Sequence, residues 1–445
     1  MTEKPLAPAT LAAQGLGLID PVTKGIVQPI QPSTTFERDA DNEYRAGRCY
    51  ARTDNPTFDQ VEATLAVLEQ GTDALVFSSG MAAATSCFLA LDPGDHVVAP
   101  TVMYWALRNW LTTFATRWGL RVSLIDTTSL DQLRAAVQPG TTKLVWLETP
   151  ANPMWHVSDI AASAEIAHQA GALLAVDSTV AATVFTQPLK LGADVVMHAA
   201  TKYLNGHSDL VAGALVAGPT ICKAGWLMNS VSVSVGSAPA DQQSCAELRS
   251  AGADPTTTIG RVESSSQAVR PTDLFARLST MPDGYWKRVR TLRSQLGGVL
   301  GSFESWLLMR GLRTLHPRVH WASASAQQLA ERLAKHPDVV EVLYPGLPTF
   351  AGHEVARRQM TGGFGAMLSI RVRGGESAAI ATAANIKVWK RATSLGGVES
   401  LLEHRASIEG PGTPCPSDLL RLSVGVEDPD DLFADLDQAL TAACR

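Results

Sequence analysis

The stretch from Asp73 to Pro100, DALVFSSGMAAATSCFLALDPGDHVVAP, decides the fold. ALVF is an apolar run short enough for a buried strand, SSG a turn of small residues, Gly80–Leu91 a helical stretch, and HVVA a second short run. The same rhythm continues outward through Tyr104–Trp118, RVSLID, TKLVWLE, ALLAVD and DVVMH, with SLDQLRAAV and DIAASAEIAHQAG lying between some of them. Apolar strands alternating with amphipathic helices predict a mostly parallel sheet covered on both faces. In such sheets ligands sit beyond the carboxyl ends of the strands. Polar or small residues stand at those ends here: SSGM, ETPAN, DST and HAATK.

With 445 residues, 45% of them hydrophobic, the chain is long enough for two domains. Its 37 basic and 43 acidic side chains leave a net charge of −6. No basic block or interleaved aromatic stripe suggests nucleic acid, so a small-molecule ligand is expected. Six scattered cysteines, Cys49, Cys87, Cys222, Cys245, Cys415 and Cys444, form no C-x-x-C pair and no metal-ligand spacing. They read as reduced thiols, and no metal is expected. No signal peptide or membrane-spanning run is seen, which points to the cytoplasm.

From about Val319 the texture changes. A helical ASASAQQLAERLAKH leads to VVEVLY, HEVARRQM, MLSIRV, LLRLSVGV and DLFADLDQAL, whose strand signals alternate as in a half-covered antiparallel sheet. This predicts a smaller α+β domain at 315–445, behind a large domain at 56–314 and an N-terminal arm at 1–55. Residues 221–283, serine-rich and without a sustained period, read as an inserted loop.

Lys202 follows the buried run VVM and a threonine. A lysine desolvated there has a lowered pKa and supplies a neutral amine for a Schiff base with an aldehyde cofactor. Such a cofactor needs a carboxylate against its ring nitrogen, and Asp177 ends ALLAV. Its phosphate fits the helix start at Gly80. Tyr104, opening the next helix, offers a ring to stack. Taken singly these residues read equally well as a surface lysine, a turn aspartate, a helix cap and a core aromatic. Jointly they make a pyridoxal phosphate site.

The segments YARTDNPT, SSGMAA, LDPGDHVVAP, WLETPANP, AVDST, ATKYLNGHSD, SLGGVESLLEH and LLRLSVGVED resemble, in order, the signatures of the Cys/Met-metabolism family of pyridoxal phosphate enzymes. The family includes cystathionine γ-synthase, cystathionine β- and γ-lyases and methionine γ-lyase. The resemblance implies fold type I, the aspartate aminotransferase-like architecture. It makes Lys202 the cofactor lysine and proton shuttle, Asp177 the ring-nitrogen partner, Tyr104 the stacking residue and Asn152 the residue facing the ring hydroxyl. Ser79, Gly80, Met81 and Thr201 match phosphate-binding positions. Tyr50 and Arg52 match a pair that reaches the phosphate of a neighbouring subunit, implying a homodimer with shared sites and a homotetramer of such dimers. Arg421 matches the arginine that grips the substrate carboxylate, a bidentate task, with Ser394 beside it.

Four features depart from the pattern. Ala199 replaces a hydroxyl residue, Trp105 and Ala106 follow Tyr104 where small residues are common, and Thr393 stands where a glutamate often precedes the serine of SLGG. The fourth is the insertion. Thr393 predicts weaker discrimination for substrates with a second amino group. The expected activity is cystathionine γ-synthase-like transsulfuration on an activated homoserine or cystathionine. Its alternatives are a carbon–sulfur lyase of the cystathionine β-lyase or methionine γ-lyase type, an aminotransferase, and a catalytically silent binding protein.

Overall fold

The computed structural model describes residues 6–222, 284–410 and 413–444. Seven strands form the first sheet: β1 (Asp73–Phe77), β2 (His96–Pro100), β3 (Arg121–Ile125), β4 (Thr142–Glu148), β5 (Leu173–Asp177), β6 (Val195–His198) and β7 (Gly213–Ala217). Their order is β1-β7-β6-β5-β4-β2-β3. Only β7 runs against its neighbours, β1 and β6. The other pairings are parallel, so β1 and β2 through β6 all end at one edge.

Alternate residues of a strand face opposite layers. Ala74, Val76, Val196 and Val216 enter one core, while Leu75, Phe77, Met197 and Leu215 enter another. Both faces are therefore dry, which explains why these strands read as continuous apolar runs. The short GALVA of β7 gave no comparable signal in the sequence.

The helix Gly80–Leu89 starts at Ser79, whose hydroxyl accepts the Ala82 N–H at 3.1 Å. A Cβ on Gly80 would stand 2.9 Å from the Ala199 Cβ. Small residues on both sides thus let the helix start press against the chain leaving β6. The Tyr104–Trp118 stretch is not one regular helix. A π-helical turn at Leu111–Ala115 interrupts it, and Leu111 and Ala115 are buried there.

The second sheet has the order β10-β11-β12-β9-β8, from β8 (Val339–Leu343), β9 (Met367–Val372), β10 (Lys390–Arg391), β11 (Leu401–His404) and β12 (Leu419–Ser423). It is antiparallel except for the β10–β11 pair. The half-covered alternation expected from the sequence does not appear; even in β8 the two exposed residues, Val340 and Glu341, are adjacent. β12 is buried along its whole length and β9 nearly so. The helices Leu315–Leu333, Gly375–Asn385 and Pro429–Ala443 pack with this sheet. The first sheet's loops meet it as well: Trp155 Nε1 donates to Ser369 Oγ at 2.8 Å, and Arg421 reaches Asn152.

Of the expected 221–283 loop, only Ile221 and Cys222 are described, and both are buried. They pack in the core that holds Leu75 and Phe77; 223–283 lies outside the described residues.

Candidate active site

Lys202 follows the carboxyl end of β6, and the loop before β11 reaches it. Its Nζ donates to Ser394 Oγ at 2.7 Å. Burial, reinforced by the Arg421 and Arg405 charges and opposed by Glu403, pushes the amine down to about 8. At neutral pH this gives on the order of a hundredfold more neutral amine than an ordinary lysine holds.

Asp177 closes β5. Its Oδ1 accepts the Thr179 N–H at 3.0 Å and the Thr179 hydroxyl. Burial pushes the Asp177 carboxyl up, against the pull of those hydrogen bonds. No lysine or arginine pairs with it among the described residues. A buried acid in that condition is stabilised by an incoming cation such as a protonated ring nitrogen.

Thr179 also accepts the Ala199 N–H at 2.8 Å. It thereby ties Asp177 to the chain leaving β6, and at this position only the backbone of Ala199 is used. The Thr201 hydroxyl exchanges two hydrogen bonds with Ala212, donating to its oxygen at 3.1 Å and accepting its N–H at 2.9 Å. That hydroxyl is turned toward β7, away from a purely phosphate-facing role. Ser79, Gly80 and Met81 open a helix whose first N–H groups, at Gly80 and Met81, have no intrahelical acceptor, a suitable cradle for an anion.

Tyr104 caps the next helix with its ring half in solvent, and Trp105 lies beside it at a ring separation of 6.4 Å. Asn152 is buried; its Oδ1 accepts Arg421 Nη1 at 3.2 Å. Arg421 Nη2 donates to the Ser394 backbone oxygen and to Glu403 Oε2, each at 2.7 Å. Lys202, Ser394, Arg421 and Asn152 are thus linked. Tyr50 and Arg52 are not brought to this group. Arg52 lies over the Tyr50 ring and donates to Ser294 O at 3.1 Å, and both residues are exposed.

Three groups escaped the sequence reading. Glu148, at the end of β4, stands directly beside Asp177 in register. Glu403 faces Arg421 across β11–β12. Arg405 continues the chain, donating to Glu403 at 2.8 Å and to Glu409 at 2.9 Å. The signal was present in LLEHRASIE: Glu403 and Arg405 lie two apart at the end of β11, and Arg405 and Glu409 are four apart.

Ser394 has φ of +98°, a conformation that costs a non-glycine residue about 1–3 kcal/mol. The Lys202 and Arg421 bonds hold it there. Ser394→Gly relieves the strain but loses the hydroxyl, whereas Ser394→Ala loses the hydroxyl and keeps the strain. Both are expected to lower kcat/KM about tenfold, the value of one hydrogen bond of about 1.4 kcal/mol. Only the glycine variant is expected to unfold at higher denaturant. Equal stability of the two would show the backbone to be unstrained.

An open cleft of about 850 Å³ adjoins Ser394. Thr201, Thr393 and Ser394 line it together with three acids, Asp209, Glu304 and Glu399. Thr393 therefore does not stand on a neutral wall. Among the described residues no group of acids, histidines and cysteines is arranged to hold a metal.

Comparisons with known proteins match nearly the whole chain. The family model described as Cys/Met metabolism PLP-dependent enzyme matches residues 9–441. A cystathionine gamma-synthase of Mycobacterium tuberculosis is 40% identical, over 97% of this chain and 96% of its own. A cystathionine gamma-lyase of Bacillus subtilis is 34% identical, over 95% of this chain and 96% of its own. Among solved structures, metB of Corynebacterium glutamicum superimposes with a TM-score of 0.81 at 35% identity, covering 98% of both chains. The cystathionine gamma synthase of Xanthomonas oryzae pv. oryzae, in complex with aminoacrylate and cysteine, gives 0.79 at 31% identity and 99% of both. With these matches along nearly its whole length, the chain belongs to the Cys/Met metabolism family of PLP-dependent enzymes.

Proposed function

We propose that the chain catalyses γ-replacement in transsulfuration, in the manner of a cystathionine γ-synthase, joining an activated homoserine to cysteine. The single observation that carries this reading is the linked set Lys202–Ser394–Arg421–Asn152 beside Asp177. Bound pyridoxal phosphate supplies the electron sink that makes the substrate α-hydrogen acidic. The chain supplies the rest. Lys202 would hold the cofactor, and its amine, pushed down to about 8, would take the substrate α-proton and move a second proton at Cβ. Asp177 would hold the ring nitrogen, Tyr104 would cover the ring, Asn152 would meet its hydroxyl, and Ser79, Gly80 and Met81, with the backbone at Thr201, would receive the phosphate. Arg421 receives the substrate α-carboxylate, with Ser394 setting its direction.

The chain is divided at 55/56 and 314/315, a division supported by the first sheet lying within 73–217 and the second within 339–423. In the working enzyme Tyr50 and Arg52 serve the phosphate of a neighbouring copy within a homodimer, and such dimers pair into a homotetramer. Support comes from the exposed Tyr50 and Arg52 and from apolar side chains left uncovered on the N-terminal arm, Val22 at 86% and Ile26 at 70% exposure. A cytoplasmic location is supported by free thiols at Cys49, Cys87, Cys415 and Cys444.

Incubating the holoenzyme with cysteine plus an O-acylhomoserine, with cystathionine, and with methionine tests the reaction. Cystathionine formed from the first pair is the expected product. Release of only 2-oxobutyrate or pyruvate would assign a lyase, and amino-group transfer to a keto acid would contradict the reading. In place of a glutamate at 393, the acidic wall is expected to hold the distal ammonium. Glu399→Gln should lower kcat/KM for cystathionine at least about tenfold, a charge-assisted contact of roughly 1.5–3 kcal/mol, while sparing methionine. Equal losses on both substrates would refute that assignment.

A further inference from the structure

Glu148 is an acid placed where acids are costly. It ends an apolar strand, is 5% exposed, and lies beside a second buried carboxyl, Asp177. Among the described residues no lysine or arginine pairs with it. Burial and the Asp177 charge push the Glu148 carboxyl up to about 8. Its hydrogen-bond partners are two backbone groups from different loops. Oε2 accepts the Tyr104 N–H at 2.7 Å, and Oε1 accepts the Asn152 N–H at 2.9 Å.

Each partner sits at a bend. Tyr104 is the cap at which the chain leaves β2's loop for a helix, and its own N–H has no acceptor within that helix. Asn152 lies in the turn after β4, where its amide oxygen receives Arg421. One carboxyl therefore fixes two elbows, one carrying the ring of Tyr104 and the other the oxygen that orients Arg421.

We propose that Glu148 is a positioning residue of the active site, setting the Tyr104 ring and the Asn152–Arg421 contact in one geometry by holding both backbone N–H groups. The inference rests on the assignment of this site to pyridoxal phosphate. A glutamine cannot repeat the arrangement, because its amide nitrogen donates and does not accept. One of the two N–H groups is then left without a partner, and its loop shifts. An aspartate keeps the acid but is one methylene short of spanning both loops.

The test compares wild type, Glu148→Gln and Glu148→Asp well below their unfolding temperatures. It reads the visible-region circular dichroism of the bound cofactor, the Kd for pyridoxal phosphate, and KM and kcat separately. Glu148→Gln is expected to lose half or more of the dichroic band, to raise Kd about tenfold, and to raise KM about tenfold through Arg421 along with a smaller fall in kcat. Glu148→Asp should move the same quantities in the same direction by less. A role confined to stability would shift the unfolding temperature and leave the band and KM unchanged; that result overturns the proposal. Should Glu148→Gln fail to fold, wild-type values in Glu148→Asp overturn it equally. A loaded, active wild type beside unaffected variants refutes only the role of Glu148. A wild type that binds no pyridoxal phosphate refutes the site assignment as well.

Discussion

Lys202→Ala is expected to leave a folded protein whose turnover is lower by at least about 10²–10⁴-fold, the range by which a positioned acid–base group accelerates proton transfer. The cause is local. Burial beside Arg421 and Arg405 holds the amine at about 8, near the pH at which a base is both available and strong enough to act. No other lysine takes part in the contacts described around Ser394, so no neighbour replaces it. The Ser394 hydroxyl that accepts Lys202 at 2.7 Å cannot act as a base of comparable strength. The same pKa predicts that Lys202 in cofactor-free protein reacts with aldehyde reagents increasingly as the pH rises through about 8, levelling above it. An ordinary lysine would still be rising there. Single-turnover kinetics of the variant, with far-ultraviolet dichroism as the folding control, check the first expectation. A variant within tenfold of wild type would remove Lys202 from the proton transfers.

Arg421→Leu is expected to damage both binding and stability. Arg421 and Arg405 balance Glu403 and Glu409 in one buried chain whose side chains are each less than a tenth exposed. Removing Arg421 leaves two acids against one base. Breaking a buried pair in this way costs about 3–5 kcal/mol. Substrate binding loses its carboxylate partner too, and a charge-assisted bidentate contact of roughly 1.5–3 kcal/mol converts to a KM about ten- to a hundredfold higher. Arg421→Lys should restore part of the stability but little of the affinity. A single ammonium cannot span Asn152, the Ser394 oxygen and Glu403 and still present two donors to a carboxylate. Urea unfolding and steady-state kinetics on both variants measure the two effects. A KM unchanged in a destabilised Arg421→Leu would mean that the substrate carboxylate binds elsewhere.

The parts of this site that were legible in sequence are those governed by local rules. ALVF-SSGM, ALLAVD and VVMHAATK each announce a buried strand and a polar end, and parallel strands with covered faces place those ends together. Lys202, Asp177 and Gly80 follow from that rule. The C-terminal sheet was partly misjudged because its second cover comes from the first sheet's loops, through Trp155 and Ser369, and no local pattern reports such a long-range contact. Glu148 was missed for a related reason. An acid at a strand end reads as solvent-facing until its partners, Tyr104 and Asn152, are seen to come from two separate loops. The acidic wall opposite Thr393 joins Asp209, Glu304 and Glu399 from three distant segments. Tyr50 and Arg52 show the converse: the motif around them is conspicuous in sequence, yet within one chain they contact each other and Ser294.

The central claim is that the amine at the end of β6 carries pyridoxal phosphate. Borohydride reduction of the purified, yellow protein followed by peptide mapping tests it most directly. The predicted result is one modified peptide containing ATKYLNGHSD, with the pyridoxyl mass on Lys202. Label on another lysine, or none at all in protein that retains the cofactor's absorbance, would contradict it.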